Sequence, residues 1–322
     1  MQSYNFISIG DNGIFNELEI TKDDLLKTYP SIKYRDLHII DKNLSFRNSS
    51  IIVKEKVIVL KLHFIRCIIK PNNVILIKLS NNDIFSKHIN HLTNLLITNI
   101  KDNSQKNSFE FKVLETVLIA IRDHFDDIMM ETLAPQTASY YDALDSTHLV
   151  KIVKNKGFSE LYKYILTVQS TVEDIRDMLT DISEWDDDEL DEFYISRELV
   201  NKEDEHRNKF ITELINNYKS HFEENTDDIN KMIKQMDLVI KLTNIDLADT
   251  RNKMAEFDIN INIFMVAITL GGLIASSFGM NVPNHLENNN VSFTIIWICM
   301  IILIIFIYFI TKYGFHYKIK QT

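Results

Sequence analysis

The feature that most constrains this chain is the apolar segment at residues 259–281, which reads ININIFMVAITLGGLIASSFGMN. About 20 mostly apolar residues are enough for a helix to cross a bilayer. Uncompensated polar groups are costly in hydrocarbon, so a plain anchor has no reason to collect them on one line. Here polar and small residues recur at alternating steps of four and three and share one helix face: Asp258, Asn262, Met265, Thr269, Gly272 and Ser276. This polar stripe is typical of a helix that lines a wet pore.

A second apolar segment follows at residues 291–311, and it has no stripe. Because it contains no charged residue, we expect it to face lipid as the second membrane helix. The loop at residues 282–290 carries Glu287 as its one acid. The tail at residues 312–322 is basic, and positive charge beside a span favours the cytoplasmic or matrix side. With two spans, the N-terminal part is predicted on the same side as the tail.

The rest of the chain is charged and soluble in character. The 322 residues carry a formal net charge of −10, and nothing in them indicates a nucleic-acid partner. Two cysteines, Cys67 and Cys299, provide no disulfide framework, since Cys299 lies inside the second span. The sequence contains no phosphate-binding loop, nucleophile triad or cysteine–histidine metal site, so it predicts neither an enzyme nor a bound cofactor. Its start lacks the features of a signal peptide or an arginine-rich presequence, which leaves the route of delivery open.

Residues 1–200 are predicted to form a soluble mixed α/β domain. Short β-branched runs predict a small sheet before residue 80, and residues 67–69 and 74–77 flank a turn signal at Lys70-Pro71-Asn72-Asn73. A helical pattern at residues 34–41 lies between the strands. Apolar residues at helical spacing predict later helices over 109–130 and 149–179.

A long stalk helix is predicted over residues 201–258, continuing without a breaker into the first span. No proline occurs between Phe210 and Asn281. Its apolar seam has roughly coiled-coil spacing and consists of Ile229, Ile233, Met236, Ile240 and Leu247. At ~1.5 Å per residue such a helix makes a rod on the order of 100 Å, which must pack against neighbouring elements or copies of itself.

The first span closes on Gly279-Met280-Asn281, and a short loop and a last span follow. Three residues recur by chance, but their place between two C-terminal spans makes the chain resemble the CorA family of magnesium channels. Further segments resemble, in order, the branch of that family named for mitochondrial RNA splicing: residues 34–41 (YRDLHIID), 51–76, 109–115 (FEFKVLE), 213–218 (ELINNY) and Arg251-Asn252. The resemblance covers most of the chain.

That resemblance implies an α+β membrane protein assembled as a homopentameric funnel, with five copies of the first span around the pore. It implies passive, potential-driven uptake of Mg²⁺. The expected partners are copies of the same chain, membrane lipid and the transported ion, and the expected location is the mitochondrial inner membrane.

The resemblance also assigns roles to residues. It places the selectivity filter at Gly279, Met280 and Asn281, where a ring of amide oxygens would suit Mg²⁺, an ion that holds its waters and prefers octahedral oxygen geometry. Without the stripe and the second span, Asn281 would indicate only the end of a helix. The expected lining below the filter is Arg251, Ala255, Asp258, Asn262, Met265, Thr269, Gly272 and Ser276.

Three positions depart from the branch. Ala255 stands where relatives often carry a methionine that narrows the pore, and Asp258 stands where a neutral residue is common. We therefore expect a constriction at Met265 or an acidic ring at Asp258. The alternative for Asp258 is a solvated charge just outside the membrane. Glu287 leaves the outer loop with fewer acids than many relatives have.

An acidic segment precedes the long helix and has two interpretations. Weak binding of internal Mg²⁺ would make it a feedback sensor, whereas most charge runs are solvated faces. The candidate ligands are Asp186, Asp187, Asp188, Glu189, Asp191 and Glu192. His88 and His91 also have a spacing that suits a metal on a helix, but without a further ligand nearby a structural or surface role is favoured.

Two other functions stay open at this point. The first is transport of another divalent ion such as Co²⁺, Ni²⁺ or Zn²⁺, which the absence of histidine and cysteine from the stripe argues against. The second is a non-conducting auxiliary subunit that assembles with a channel.

Overall fold

A computed structural model describes residues 3–21, 24, 26, 27, 33, 49–78, 83–102, 108–145, 153–196, 208–280 and 290–319. The chain divides into two compact units, Met1–Ile240 and Lys241–Thr322. The helix predicted at residues 34–41 lies outside the described residues.

The N-terminal unit contains a six-stranded antiparallel sheet with the order β2-β1-β6-β5-β4-β3. The strands are β1 (Ser3–Gly10), β2 (Phe15–Thr21), β3 (Ser50–Lys54), β4 (Val57–Leu62), β5 (Ile65–Lys70) and β6 (Asn73–Lys78). Lys70 pairs with Asn73 across a two-residue connection, which confirms the predicted turn between paired strands.

Both faces of the central strands are buried, which explains their nearly continuous apolar sequences. One face joins the main core with residues such as Leu60, Cys67 and Leu76. The other face forms a smaller cluster of Phe6, Val57, Val59, Ile68, Ile75 and Ile77. Burial raises the pKa of the Cys67 thiol to about 12, so this cysteine is an unreactive core residue.

Helices follow the sheet. They are α1 (Asp83–Lys101), α2 (Phe109–Asp127), α3 (Ala134–Asp142), α4 (Lys156–Ser183) and α5 (Asp187–Asp191). A π-helical segment, Ile128–Leu133, joins α2 to α3. Pro135 lies in the first turn of α3 and has no N–H to donate to the preceding turn, which accounts for the local widening.

The long helix α6 spans Lys209–Phe278, and its first half packs within the N-terminal unit. It runs parallel to α2, since Phe111 meets Phe210 at one end and Phe125 meets Phe222 further along. It runs antiparallel to α4, where the Tyr162 hydroxyl donates to Asp237 (2.9 Å) and Gln169 donates to Asn230 (2.9 Å). Ile229 and Met236 of the predicted seam are fully buried in these contacts.

Three histidines from three elements meet beside the sheet. His63 lies in the β4–β5 turn at a φ of 46°, and its ring stacks on His124 of α2 with centroids 5.7 Å apart. His124 also contacts His88 of α1 at 4.6 Å. Burial and the neighbouring imidazoles lower the pKa of His63 and of His124 to about 4. His91, the other histidine of the predicted helical pair, is exposed and takes no part.

The C-terminal unit contains the second half of α6 and α7 (Asn290–Ile319). Both are long and apolar enough to cross a membrane. The second helix extends beyond the predicted span of residues 291–311, so much of the predicted basic tail is helical.

Candidate ion pathway

The apolar half of α6 packs on α7 along one face. Ile263 (8% exposed) and Ala267 (0%) lie on that face, and Gly271 approaches Ile304 of α7 so closely that a Cβ there would lie 2.6 Å from its Cδ1 atom. Phe264 meets Tyr308 edge-on with centroids 6.4 Å apart. The antiparallel pairing of the two spans therefore rests on small residues of α6 and branched or aromatic residues of α7.

The polar stripe lies on the opposite face. With 3.6 residues per turn, Ala267 is half a turn away from the line through Asp258 and Ser276. All six stripe residues are exposed in the single chain: Asp258, Asn262, Met265, Thr269, Gly272 and Ser276. The second span thus covers one side of α6 and leaves the stripe free, which is the arrangement a pore-lining helix requires.

The hydroxyls in this part of α6 are satisfied within the helix. Thr269 donates to the Met265 carbonyl at 2.7 Å, and Ser277 donates to the Leu273 carbonyl at 2.8 Å. Such bonds to the preceding turn lower the cost of a hydroxyl at membrane depth. Each hydroxyl oxygen keeps acceptor capacity, so Thr269 can still face water.

Gly271 and Gly272 differ in their surroundings. Gly271 sits in the contact with α7, whereas a Cβ at Gly272 would meet nothing within 4 Å. Gly272 is on the stripe, so the open space beside it lies on the candidate pathway. The spacing of the stripe predicts Gly272 on this pathway, whereas the packing role of Gly271 depends on α7, and the Gly-Gly pair is its only signal in the sequence.

The two flanks of the stripe are apolar and exposed. Ile261 and Ile268 lie on one flank (41% and 48% exposed), and Val266 and Leu273 lie on the other (53% and 64%). A helix with an exposed apolar strip on each side of a polar line can contact two neighbours at once. The surface therefore suits a ring of copies rather than a single pair.

Below the apolar segment, α6 is solvent-exposed and charged. Arg251 and Ala255, which are predicted lining residues, are exposed in the single chain, and Met254 next to Ala255 is 62% exposed. Lys253 forms an ion pair with Asp249 at 2.6 Å, and this hydrogen-bonded carboxylate raises the pKa of the lysine. Lys253 therefore stays charged and is paired with Asp249 one turn earlier on α6.

The helix ends at the predicted filter. The Gly279 N–H donates to the carbonyls of Ala275 and Ser276 at 3.1 Å, and Met280 is 65% exposed. Asn281 and Glu287 lie outside the described residues, so their roles stay predictions.

The acidic segment before α6 is partly engaged in folding. Asp186 accepts a hydrogen bond from the Glu189 N–H (2.9 Å) and Glu189 accepts one from the Asp186 N–H (3.2 Å), which makes a capping box at the start of α5. The Asp187 carbonyl accepts from Asn208 at 2.9 Å. Asp188 and Glu192 are exposed. Within the described part of the chain, no group of three or more His, Cys, Asp or Glu side chains has a geometry that could hold a metal.

Comparison with known proteins decides the family. The model of the family described as "Magnesium transporter MRS2-like" matches residues 9–251. The chain belongs to this MRS2-like family. The match confirms the family expected from residues 34–41, 109–115 and Arg251-Asn252, and it ends just before the membrane segment of α6.

Named relatives align over most of this MRS2-like chain. The mitochondrial inner membrane magnesium transporter LPE10 of Kluyveromyces lactis is 24% identical over 90% of this chain and 75% of its own length. MFM1 of Saccharomyces cerevisiae, with the same description, is 25% identical over 90% and 72%. MRS2 of Candida albicans is 20% identical, and the chain spans only 58% of its length.

Among solved structures, the full-length CmaX protein has a TM-score of 0.55 at 8% identity and covers 95% of this chain and 98% of its own. This likeness confirms the predicted fold of a sheet-containing N-terminal domain and a long helix continuous with the first of two C-terminal apolar helices. The CorA magnesium transporter of Methanocaldococcus jannaschii has a TM-score of 0.49 at 17% identity.

Proposed function

We propose that this MRS2-like chain forms a homo-oligomeric channel that conducts Mg²⁺ passively across a membrane. The observation that carries the proposal is the position of the polar stripe, which is exposed in the single chain and lies opposite the face that packs on α7. Relatives that align over about 90% of the chain are named magnesium transporters, which supports Mg²⁺ as the ion.

The pore is proposed to be a ring of α6 helices, with α7 outside it. The exposed flanks of the stripe would meet the flanks of neighbouring copies, so that burial of Ile268, Val266 and Leu273 drives assembly. A ring of five copies is the arrangement implied by the resemblance to the CorA family, and it would bring five stripes to one axis.

Ion selection is proposed to occur at Gly279, Met280 and Asn281. The amide oxygens of an Asn281 ring would bind the waters of hydrated Mg²⁺ without stripping them, which favours an ion that dehydrates reluctantly. Below the filter, the stripe would offer hydroxyl and amide groups that a hydrated ion can pass. Asp258 would concentrate divalent cations near the inner mouth.

The driving force is proposed to be the membrane potential. Moving a divalent ion across 100 mV is worth about 4.6 kcal/mol, twice the value for a single charge, so no nucleotide site is needed. The mitochondrial inner membrane is the proposed location, in line with the names of the relatives. Both termini would then lie on the matrix side, because the basic tail favours that side.

The decisive experiment is Mg²⁺ flux into vesicles that contain only the purified chain. Asn281→Ala should abolish flux while leaving oligomer size unchanged, because it removes the filter amide without touching the packed face. Asn284→Ala, which removes an amide from the outer loop, is the matched control and should conduct like the wild type. Wild-type flux in Asn281→Ala at equal protein in the membrane would refute the filter.

The same preparation separates the two rival functions. A channel for softer ions would carry Co²⁺, Ni²⁺ or Zn²⁺ in preference to Mg²⁺, although the stripe offers only oxygen ligands and one thioether. An auxiliary subunit would give vesicles with no conductance at all until a second chain is added. Mg²⁺ conductance by the chain alone excludes the latter.

A further inference from the structure

A lateral groove of about 400 Å³ opens between α6 and α7 on the C-terminal unit. Its walls are apolar for most of its length, since Ile261 and Phe264 line it from α6 and Ile304, Ile305 and Phe309 line it from α7. Both helices are membrane-span candidates, so hydrocarbon chains are available to this groove. Apolar packing alone, however, would not distinguish a lipid from a neighbouring protein helix.

One end of the groove is polar. Asn260 and Tyr308 line it there, and the Lys312 Nζ atom lies 5.6 Å from the centroid of the Tyr308 ring. Among the described residues, no carboxylate forms an ion pair with Lys312 and no side chain hydrogen-bonds to Asn260. Asn260 opens the first apolar segment and Lys312 closes the second, so both belong to the same membrane surface. A cation, an amide and a phenol at that depth match the headgroup region of a bilayer.

We infer that this groove binds one anionic phospholipid, with an acyl chain along Phe264, Ile304 and Ile305 and the phosphate at Lys312. The Asn260 amide would donate to a phosphate or ester oxygen of the same molecule. The second span of a neighbouring copy fits the polar end less well, because residues 291–311 carry no charge to pair with Lys312. A phospholipid supplies the apolar chain, the acceptor oxygens and the negative charge together, and it would hold α6 and α7 at a fixed spacing.

Native mass spectrometry of the full chain in detergent tests the charge recognition. The protein is incubated with phosphatidylglycerol and phosphatidylcholine of identical acyl chains, and retained lipid is counted per chain. Phosphatidylglycerol should be retained in preference. Lys312→Gln should lower its retention about fivefold, the effect of about 1 kcal/mol for one basic residue at a lipid surface, and leave phosphatidylcholine unchanged. Lys318→Gln, further along the tail, is the control and should retain lipid like the wild type.

A second pair of variants tests the groove itself. Ile305→Trp fills it and should lower retention of both lipids, whereas Ile310→Trp, on a different face of α7 with similar exposure (56% against 51%), should not. The inference would be overturned if the wild type and Lys312→Gln each retained phosphatidylglycerol and phosphatidylcholine to the same extent. An Ile305→Trp variant that loses oligomer size but keeps its lipid would also overturn it, because the groove would then be a subunit contact. None of these readouts depends on Mg²⁺ conduction, so the result stands apart from the proposed function.

Discussion

At the scale of single residues, adjacent glycines on α6 separate packing from conduction. Gly271 faces Ile304 so closely that an added Cβ would displace the end of that side chain, and Gly272 faces the open space of the stripe. Replacing either glycine by alanine raises helix propensity by about the same amount, roughly 1 kcal/mol, so this contribution cancels between the two variants. The comparison therefore reports only what each added methyl group meets.

Gly271→Ala should make the full chain less stable in detergent than Gly272→Ala does, because an overpacked contact typically costs about 1–3 kcal/mol. Gly272→Ala should match or exceed wild-type stability, because its methyl group meets nothing within 4 Å, but it should lower Mg²⁺ flux, since the methyl groups of the copies narrow the proposed path. Thermal unfolding of both variants checks the prediction on stability, and vesicle flux through both variants checks the prediction on conduction. Equal unfolding temperatures together with equal flux would mean that the packed face and the stripe have been wrongly assigned.

Asp258 is one of the residues at which the sequence is expected to depart from its branch of the family. Ala255 is too small to close the path, and Asp258 is exposed in register with Asn262 and Met265. Five carboxylates in a ring would repel one another unless a divalent cation sat among them, and the bound cation would block monovalent ions. Asp258→Asn should increase monovalent leak without Mg²⁺ and weaken the block of that leak by Mg²⁺.

Single-channel recording measures both effects of Asp258→Asn, and Glu256→Gln provides a control acid two residues away on another helix face. If the leak and its block are the same in Asp258→Asn and the wild type, Asp258 lies outside the conduction path. The constriction would then have to be sought at Met254 or Met265.

At the scale of elements, the histidine cluster links the β4–β5 turn to α1 and α2. The pKa of His63 and of His124 is about 4 in the folded chain, below the ordinary value of 6.5. The unfolded chain thus binds these protons more readily, so the stabilisation is complete above pH 6.5 and is lost as the pH falls towards 4. For His63 the loss amounts to about 3 kcal/mol or less, taking 1.36 kcal/mol per pKa unit.

Urea unfolding of the full chain in detergent between pH 7 and pH 4 checks this, followed by tryptophan fluorescence in a Trp297→Phe background so that Trp185 alone reports. His63→Asn should flatten the loss of stability in this window, because a non-titrating side chain replaces a buried imidazole. His91→Asn removes an exposed histidine of α1 and should leave the pH dependence as it is. The same slope in His63→Asn and the wild type would show that the cluster does not control acid stability.

The sequence predicts those elements whose local pattern of apolar and turn residues is enough to determine their secondary structure. The β5–β6 hairpin has buried runs on both sides of Pro71-Asn72, and α6 has an uninterrupted helical sequence with no proline. Strand β2 was missed because its sequence, FNELEIT, is largely polar, and its pairing with β1 at the sheet edge determines its structure. The histidine cluster was missed for a related reason, since His63, His88 and His124 are far apart in sequence and meet only through the fold.

The candidate pathway likewise has features that the sequence predicts and features that it does not. The periodicity of Asn262, Met265 and Thr269 was enough to predict one exposed helix face. Which residues of α6 contact α7 could not be predicted, because that depends on the partner helix and on the close approach at Gly271. The capping box of Asp186 and Glu189 could not be predicted either, since a run of acidic residues in a sequence does not show whether it caps a helix or binds a cation.

At the scale of the whole molecule, one helix connects the soluble part to the membrane part. Helix α6 begins in the N-terminal unit, packed on α2 and α4, and ends at the proposed filter. Any internal signal that shifts α6 relative to α2 and α4 is therefore in a position to alter the pathway. The acidic segment lies directly beside the start of α6, because Asp187 is hydrogen-bonded to Asn208.

We therefore expect neutralisation of the acidic segment to weaken feedback by internal Mg²⁺. Asp186→Asn, Asp187→Asn, Asp188→Asn and Glu189→Gln together remove four charges but keep the oxygens of the capping box, since asparagine caps as well as aspartate and glutamine serves in place of glutamate. Millimolar internal Mg²⁺ should then inhibit flux less than in the wild type. In the wild type the ion screens the repulsion among the carboxylates of the segment, and the neutralised variant has no such repulsion to screen.

The control for this prediction is Asp186→Ala, which removes the cap but leaves the other acids in place. It should cost about 1 kcal/mol of stability but weaken the inhibition far less than the fourfold variant does, because it removes the cap and only one of the four charges. Inhibition by internal Mg²⁺ is measured for both variants in vesicles of one orientation. An unchanged curve in the fourfold variant would assign the segment to folding alone, as the cap of α5 and the support for the first turn of α6.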